Sequence, residues 1–513
     1  MPSSTHQELV NVPRTHLTGL PTPPGDDADD RDSRQNKTIQ GHSHHLYTND
    51  IEMAYPTSVS PGTTYIHAMA NDGSTSEPNQ SYPRLQINDP IDAKRLLKTN
   101  LQKPSFPYKA VLVGRGLIGQ DDTDAWRHQR AWIKPAFQAR HVIRLLPLVI
   151  SDTEKMISDL HQCVASSRDQ IIHVHELLLE TTFVMIGHLM LGERSAWLKE
   201  NGHRLRQAFS KGLQPYFRMT SEGQEAEKTM RAFTQSAIER YRDKTLSAAS
   251  SNTSARLTLL SRLLDPDSAS PYSQDDELRH DELMTTMFAG HETTANTLAW
   301  CLYELSRHKE QQEIVRAAIV SHAKCLGRSP SEWTFREFNK VTIVTHALRE
   351  TMRLWPVVAN GPFRELRTST TVKGRIVSNH DGADESFAYS KCDLPAPTAF
   401  QVPHWTLHRN PALWGSSSTL APPDTFDIRR PASEGWNSEA YMPFSRPPRD
   451  CLGRHIATME MQVLLTMILY SFELSWPSDQ PAKQGHNWAT LEPEGGLSLH
   501  MRPISFPEYT SKL

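Results

Sequence analysis

The stretch that most limits what this chain can fold into runs from Asp281 to His308, and its pattern predicts one long helix. Between Leu283 and Tyr303 only His291 and Glu292 are clearly titratable, amid Met, Phe, Ala, Leu and Trp. Five threonines, an asparagine, a glutamate and a histidine in that length would be costly in a bilayer, so a buried central helix fits better than a membrane span. Its middle, Ala289 to Thr294, breaks the apolar pattern. A glycine inside a helix costs about 1 kcal/mol, so Gly290 calls for a reason such as close approach of something flat or bulky. Buried threonines often simply back-bond to a helical carbonyl. Glu292 is harder to place in that way, because an unpaired buried carboxylate is expensive; proton delivery is a competing role for it.

A second stretch, Phe444 to Gly453, puts one cysteine between a turn rich in Pro and Arg and an amphipathic helix running through Ile456, Met459, Met461, Leu464, Leu465 and Ile468. A cysteine at that place sits in the field of the unpaired N–H groups of the helix start. That field, with Arg446, Arg449 and Arg454, is expected to favour the Cys451 thiolate, the form that binds metals and attacks as a nucleophile. A buried structural cysteine is the competing reading.

The chain has 513 residues, 37% of them hydrophobic and 22% charged, which is enough for a large core. Length alone would suggest about three domains, a soft expectation. The formal charge is −3, and nothing strongly basic points to nucleic acid. Five cysteines, none in a Cys-x-x-Cys pair, argue against a disulfide framework or a zinc site and suit a reducing compartment. Residues 1–60 read as a disordered N-terminal tail without an anchor helix or signal peptide, and 61–513 as a single catalytic domain. His42, His44 and His45 suit a solvated tail, and the sequons at Asn36, Asn79 and Asn252 read as chance matches.

Along that domain, Thr63–Ala68 and Arg84–Ile87 have strand character, and Asp89-Pro90 is expected to open a helix. Gly114 to Gly119 matches G-x-G-x-x-G but is followed by Gln, Asp and Thr rather than a long helix, which argues against a dinucleotide site. Asp124 is expected to cap a helix bearing Trp126 and Arg130 on one face, a donor patch suited to a carboxylate or phosphate, or else a surface cation–π pair. Residues 140–241 are mostly helical by periodicity. Val341–Trp355 is an amphipathic helix stopped by Pro356 and carrying Glu350 and Arg353 on one face. Short strands are expected at Thr370–Lys373, Arg375–Val377 and Phe400–Val402.

Taken together these residues resemble the cytochrome P450 family of haem-thiolate monooxygenases, from about Thr63 to the C-terminus. Five family motifs occur in order: Trp126-x-x-x-Arg130; Ala289-Gly-x-Glu-Thr-Thr294; Glu350-x-x-Arg353; Phe426 to Arg430, similar to F-x-P-x-R; and Phe444-x-x-x-x-Arg449-x-Cys451-x-Gly453, similar to the haem loop. The resemblance implies a mainly α fold with small β-sheets, a triangular prism whose long central helix lies over haem b (iron protoporphyrin IX). It implies that Cys451 is the axial ligand of the haem iron, a thiolate that favours O–O cleavage. Phe444 would pack beside the sulfur, and Gly453 would let the haem approach the helix start. Trp126, Arg130, Arg449 and, more weakly, Arg364 would hold the propionates. Glu292 and Thr293 would be the catalytic proton carriers, and Ala289 and Gly290 would flank the dioxygen groove. Glu350, Arg353 and Arg430 would form a buried ion-pair network.

The activity implied is insertion of one oxygen atom from dioxygen into a lipophilic substrate, with electrons from an NADPH-cytochrome P450 reductase or similar donor docking on the thiolate side. Met287, Phe288, Val357 and Val358 are expected to line the pocket. Pro356–Leu366 and His404–Gly415 are similar to segments of eukaryotic microbial members that oxidise fatty acids or terpenoids. The expected location is the cytoplasmic side, in peripheral contact with the endoplasmic reticulum. A haem-thiolate isomerase or dehydratase is the first alternative, which the intact Glu292-Thr293 pair argues against; a non-catalytic haem-binding protein is the second. Two positions depart from the family. Ile428 stands where Pro is frequent, and Pro447 stands where Gly is usual. Proline, fixed near −65°, cannot take a positive φ, so the loop is expected to turn differently.

Overall fold

The structure is a computed structural model and describes residues 65–67, 84–104, 114–168, 170–192, 196–212, 220–248, 257–375, 389–411, 413–415, 421–433, 436–487 and 490–504. The expected tail (1–60), its histidines, the three sequons and the end of the Arg375–Val377 strand lie outside the described residues. The described elements belong to one compact unit, residues 52–513.

Strands β1 (Tyr65–His67) and β2 (Arg84–Gln86) pair antiparallel where strands were expected. Helix α1 (Pro90–Thr99) starts as the sequence predicts: the Asp89 carboxylate accepts from the Asp92 N–H at 2.8 Å, and Pro90 occupies the first helical position. Helix α2 (Thr123–Ile133) starts earlier than expected. Its cap is Asp122, which accepts from the N–H groups of both Asp124 and Ala125, so Asp124 falls inside the first turn. Then come α3 (Leu146–Ser166), β3 (Ile171–His173), α4 (Val174–Leu191), α5 (Ala196–Gly212) and α6 (Ser221–Ala248).

The central helix is α7 (Asp276–Arg307), 32 residues capped by the Asp275 carboxylate and longer at its start than the apolar pattern predicted. Its first turn is capped by Asp275 and carries Asp276 and Glu277 beside the buried Leu278 and Arg279, too short an apolar pattern to be read as helix. Helix α4 is long and apolar enough to cross a membrane, yet it packs on α7, with the Thr182 hydroxyl donating to the His291 carbonyl at 2.9 Å. After α8 (Lys309–Leu326), α9 (Thr342–Leu354) ends one residue before Trp355-Pro356.

The strands β4 (Phe363–Leu366), β5 (Thr370–Arg375), β6 (Tyr389–Leu394) and β7 (Thr398–Gln401) form small sheets. One has the order β1-β2-β7-β4, with β2 and β7 parallel; β5 and β6 make a second. Phe400, Leu366, Leu96 and Leu97 form a satellite core with this sheet. Helix α10 (Arg454–Ser471) leads into β8 (Phe472–Ser475), β9 (Gly485–Asn487), β10 (Leu491–Pro493) and β11 (Ser498–Pro503). The fold is mainly helical with small, mostly antiparallel sheets, as the resemblance implied.

Glu350, Arg353 and Arg430 are fully buried together. Glu350 Oε1 accepts from Arg353 Nη2 at 2.7 Å and from Arg430 Nε at 3.1 Å, while Arg353 Nη1 also donates to the His408 carbonyl at 2.9 Å. This knot ties α9 to the irregular chain before the cysteine. A buried pair of this kind is costly to break on one side, because it strands a charge.

Candidate active site

The chain before α10 folds into a closed loop in which the Cys451 N–H donates to the Phe444 carbonyl at 2.9 Å. Its left-handed residue is Ser445, with φ 60°, two positions before Pro447. The positive φ of this loop is thus at Ser445 and not at Pro447, which cannot adopt one. The Cys451 side chain is exposed, yet burial among protein atoms pushes its thiol up. Both observations hold if the sulfur faces an internal cavity rather than bulk solvent. The expected preference for the thiolate is thus corrected for the protein alone: a Gly453 N–H bond, Arg130 and Arg454 act in that direction, but desolvation outweighs them. At Gly453 an added Cβ would meet Ile456 at 3.8 Å and the sulfur at 4.0 Å, ordinary contact distances. The protein's own packing does not demand this glycine, which suits a space kept for a flat group.

Beside the loop, Trp126 is buried, and the Arg449 guanidinium lies 4.1 Å from the centre of its ring. Arg449 Nη1 donates to the Gln120 carbonyl at 3.1 Å. Arg364 is buried on β4. A third cation, which sequence reasoning missed, is Lys103: it is buried, its Nζ donates to the Ile118 carbonyl, and its pKa is held well below the ordinary value. Burial is the main cause, and the charges of Arg364 and Arg449 add to it. Three cations this close make a cradle for carboxylates. Arg130 is not aimed there in the same way. Its Nη2 pairs with the Asp450 carboxylate at 2.6 Å and its Nη1 with the Asp450 carbonyl at 3.0 Å, so it braces the cysteine loop.

On α7 the burial pattern has a gap. Leu283–Met287 and Thr294–Ser306 are buried, whereas Phe288, Ala289, Gly290, Glu292 and Thr293 are half-buried. Thr293 Oγ1 donates to the Ala289 carbonyl at 2.8 Å, and Thr297 Oγ1 to the Thr293 carbonyl at 2.8 Å. Glu292 is pushed up to about 7 by desolvation and by the charge of Glu492, against a hydrogen bond with Thr490. Gly290 packs close to α4: a Cβ there would lie 2.4 Å from Ile186 Cδ1. Met287 is fully buried and does not line an accessible pocket, and Val358 is exposed; Phe288 and Val357 remain partly accessible.

Among the described residues no three His, Cys, Asp or Glu side chains converge to hold a metal ion. An exposed thiol at a helix start, a glycine its packing does not require and a cluster of buried cations suit a haem-thiolate site. The cytochrome P450 family model matches residues 79–501, and the chain belongs to that family. It is an oxidoreductase, a haem-dependent monooxygenase. It is 26% identical to human cytochrome P450 4X1 over 448 residues, 82% of each chain. It is also 26% identical to cytochrome P450 714C2 of Oryza sativa subsp. japonica, over 82% of this chain and 78% of that protein. A shorter match, 30% over 47% of this chain and 42% of the relative, is to mouse leukotriene-B4 omega-hydroxylase 3.

Proposed function

We propose that this chain hydroxylates or epoxidises a lipophilic organic substrate, receiving electrons singly from a separate NADPH-cytochrome P450 reductase or similar donor. The observation that carries the reading is the half-buried break at Phe288–Gly290 and Glu292–Thr293 in an otherwise buried helix, in a chain whose Cys451 is exposed at the start of α10. Bound haem supplies redox-active iron, and thiolate ligation favours O–O cleavage. Cys451 would be its ligand, while Trp126, Arg449, Arg364 and Lys103 would hold its carboxylates. Arg130 would act through Asp450.

Glu292, at about 7, gains and loses a proton near neutral pH, the condition for efficient proton delivery. Thr293 spends its own proton on the Ala289 carbonyl, so its oxygen stays free to accept a hydrogen bond. Phe288 and Val357 provide apolar, partly accessible wall and favour a lipophilic ligand. The match to an omega-hydroxylase supports a long-chain acid as the first substrate class to try. Peripheral contact with the cytoplasmic face of the endoplasmic reticulum belongs to the same proposal.

The test is the absorption spectrum of the reduced, carbon-monoxide-bound protein. A red-shifted Soret band of thiolate type that disappears in Cys451→Ala supports the reading, and its absence in haem-loaded protein ends it. Thr293→Ala should then release more peroxide per NADPH consumed; unchanged coupling removes Thr293 from the relay.

A further inference from the structure

The segment Gly114–Gln120 lies along α7 and is tied to its first turns by three contacts. The Arg115 N–H donates to Asp281 Oδ2 at 2.8 Å, and the Arg115 guanidinium meets both oxygens of Asp275 at 2.9 Å. The Leu117 N–H donates to Glu282 Oε2 at 3.0 Å, and the same oxygen accepts from the Tyr272 hydroxyl at 3.0 Å. Two glycines permit the close approach. A Cβ at Gly114 would lie 2.4 Å from the Asp281 carboxyl group, and one at Gly116 would lie 2.0 Å from Thr285 Oγ1. At the other end, Lys103 Nζ donates to the Ile118 carbonyl and Arg449 Nη1 to the Gln120 carbonyl.

Asp281, Thr285, Ala289 and Thr293 follow one another along one ridge of α7. The segment covers the first two, and the half-buried Ala289 and Thr293 are the next two. It therefore borders the break in the central helix on the N-terminal side.

The tie through Glu282 differs from the others. Arg115 and Asp275 form an exposed ion pair, which solvent screens. Glu282 is 1% exposed, both of its donors are neutral, and its neighbour Asp281 is acidic. The cations around it are engaged elsewhere: Arg115 with Asp275, Arg279 with Asp276 and the Leu263 carbonyl, Arg231 of α6 with Glu277, and Arg262 with Asp265. His280 Nδ1 lies 2.9 Å from Thr234 Oγ1, and the side chain that α2 sends to the segment is the neutral Gln129, donating to the Arg115 carbonyl at 3.2 Å. A charged carboxylate in that setting lacks compensation.

We propose that Gly114–Gln120 is a proton-linked strap at the rim of the site: the protonated Glu282 carboxyl group latches it to the central helix through the Leu117 N–H, and loss of that proton loosens it. Docking keeps the group out of water and release wets it. Burial first, and the charge of Asp281 next to it, push the docked carboxyl from an ordinary 4.5 up to about 7, against the bonds from Tyr272 and Leu117. The docked form thus holds the proton more tightly than the released form. The latch is complete below about 4.5 and weakens as pH rises through about 7.

The experiment is hydrogen–deuterium exchange of the full-length holoprotein, reading protection of the strap amides as a function of pH after correction for intrinsic exchange. Protection should fall as pH rises through about 7, by at most about 300-fold, the ceiling set by a carboxyl moved from 4.5 to about 7. Glu282→Gln keeps an acceptor oxygen and cannot ionise, so its strap should stay protected at the low-pH level throughout. Tyr272→Phe removes a bond that favours the carboxylate and should raise the midpoint by about one pH unit. Asp275→Asn weakens the exposed pair and should lower protection at every pH while leaving the midpoint in place. The opening is local, so dilute urea should leave the strap's protection nearly unchanged. Protection that is flat with pH in the unmodified protein, that falls equally in Glu282→Gln, or that falls only in step with urea-sensitive global unfolding overturns the proposal. If Glu282→Gln does not fold, Tyr272→Phe decides: an unmoved midpoint removes Glu282 as the latch.

Discussion

Gly116 stands against Thr285 so closely that a side chain has no room: a Cβ would lie 2.0 Å from Thr285 Oγ1 and 2.6 Å from the Asp281 carbonyl oxygen. The glycines that mimic a dinucleotide fingerprint thus serve to lay a loop flat on the central helix. Gly116→Ala should destabilise the fold by about 1–3 kcal/mol, the usual cost of overpacking. Urea unfolding would show it, and Thr285→Ala in the same chain should recover only part, since the backbone carbonyl stays.

At Ser445 the backbone is left-handed, with φ 60°. A residue with a Cβ pays roughly 1–2 kcal/mol in that region, and glycine does not. Ser445→Gly is therefore expected to raise the melting temperature of the haem-loaded protein. An unchanged or lower value would mean that the serine side chain compensates for its backbone.

Glu282 is buried where it accepts from the Leu117 N–H at 3.0 Å and from the Tyr272 hydroxyl at 3.0 Å. Desolvation nonetheless pushes its carboxyl from an ordinary 4.5 up to about 7. The fold prefers the protonated form, so its contribution is fully present below about 4.5 and is lost as pH rises through 7. A shift from 4.5 to 7 caps the effect at about 3 kcal/mol. Unfolding free energy should decline across that window, and Glu282→Gln should flatten the decline. Glu292 adds a slope of the same sign.

Lys103 is driven toward neutrality by burial and by Arg364 and Arg449. Lys103→Met should relieve that repulsion and stabilise the cofactor-free chain. It should also remove a partner for the haem carboxylates, so haem transfer to an acceptor protein should speed up, by roughly tenfold for a lost charged contact. Faster transfer with a less stable apoprotein would contradict the cradle.

The residues that can be read from the chain are those whose chemistry depends on short spacing. Trp126 with Arg130, Glu292 with Thr293, and Cys451 ahead of its helix are each fixed by neighbours within a few positions. What could not be read depends on contacts between distant segments. Lys103 sits in no periodic pattern and matters because Arg364 and Arg449 converge on it. The close neighbour of Gly290 is Ile186, about a hundred residues earlier on a different helix. The diversion of Arg130 to Asp450 follows from how the cysteine loop docks, which no local rule contains. Cap positions slipped for a simpler reason: Asp121, Asp122 and Asp124 are chemically equal candidates, and only backbone geometry chooses Asp122.

Helix α4 also has a history that its final position hides. It is complete at Leu191, whereas the central helix that covers it ends at Arg307. During synthesis at about 5–20 residues per second, that interval lasts roughly 6–25 s. Throughout it, a segment apolar enough to enter a bilayer is outside the ribosome, or nearly so, before its permanent partner exists. For that interval the nascent chain exposes an apolar helix face that the central helix will later cover.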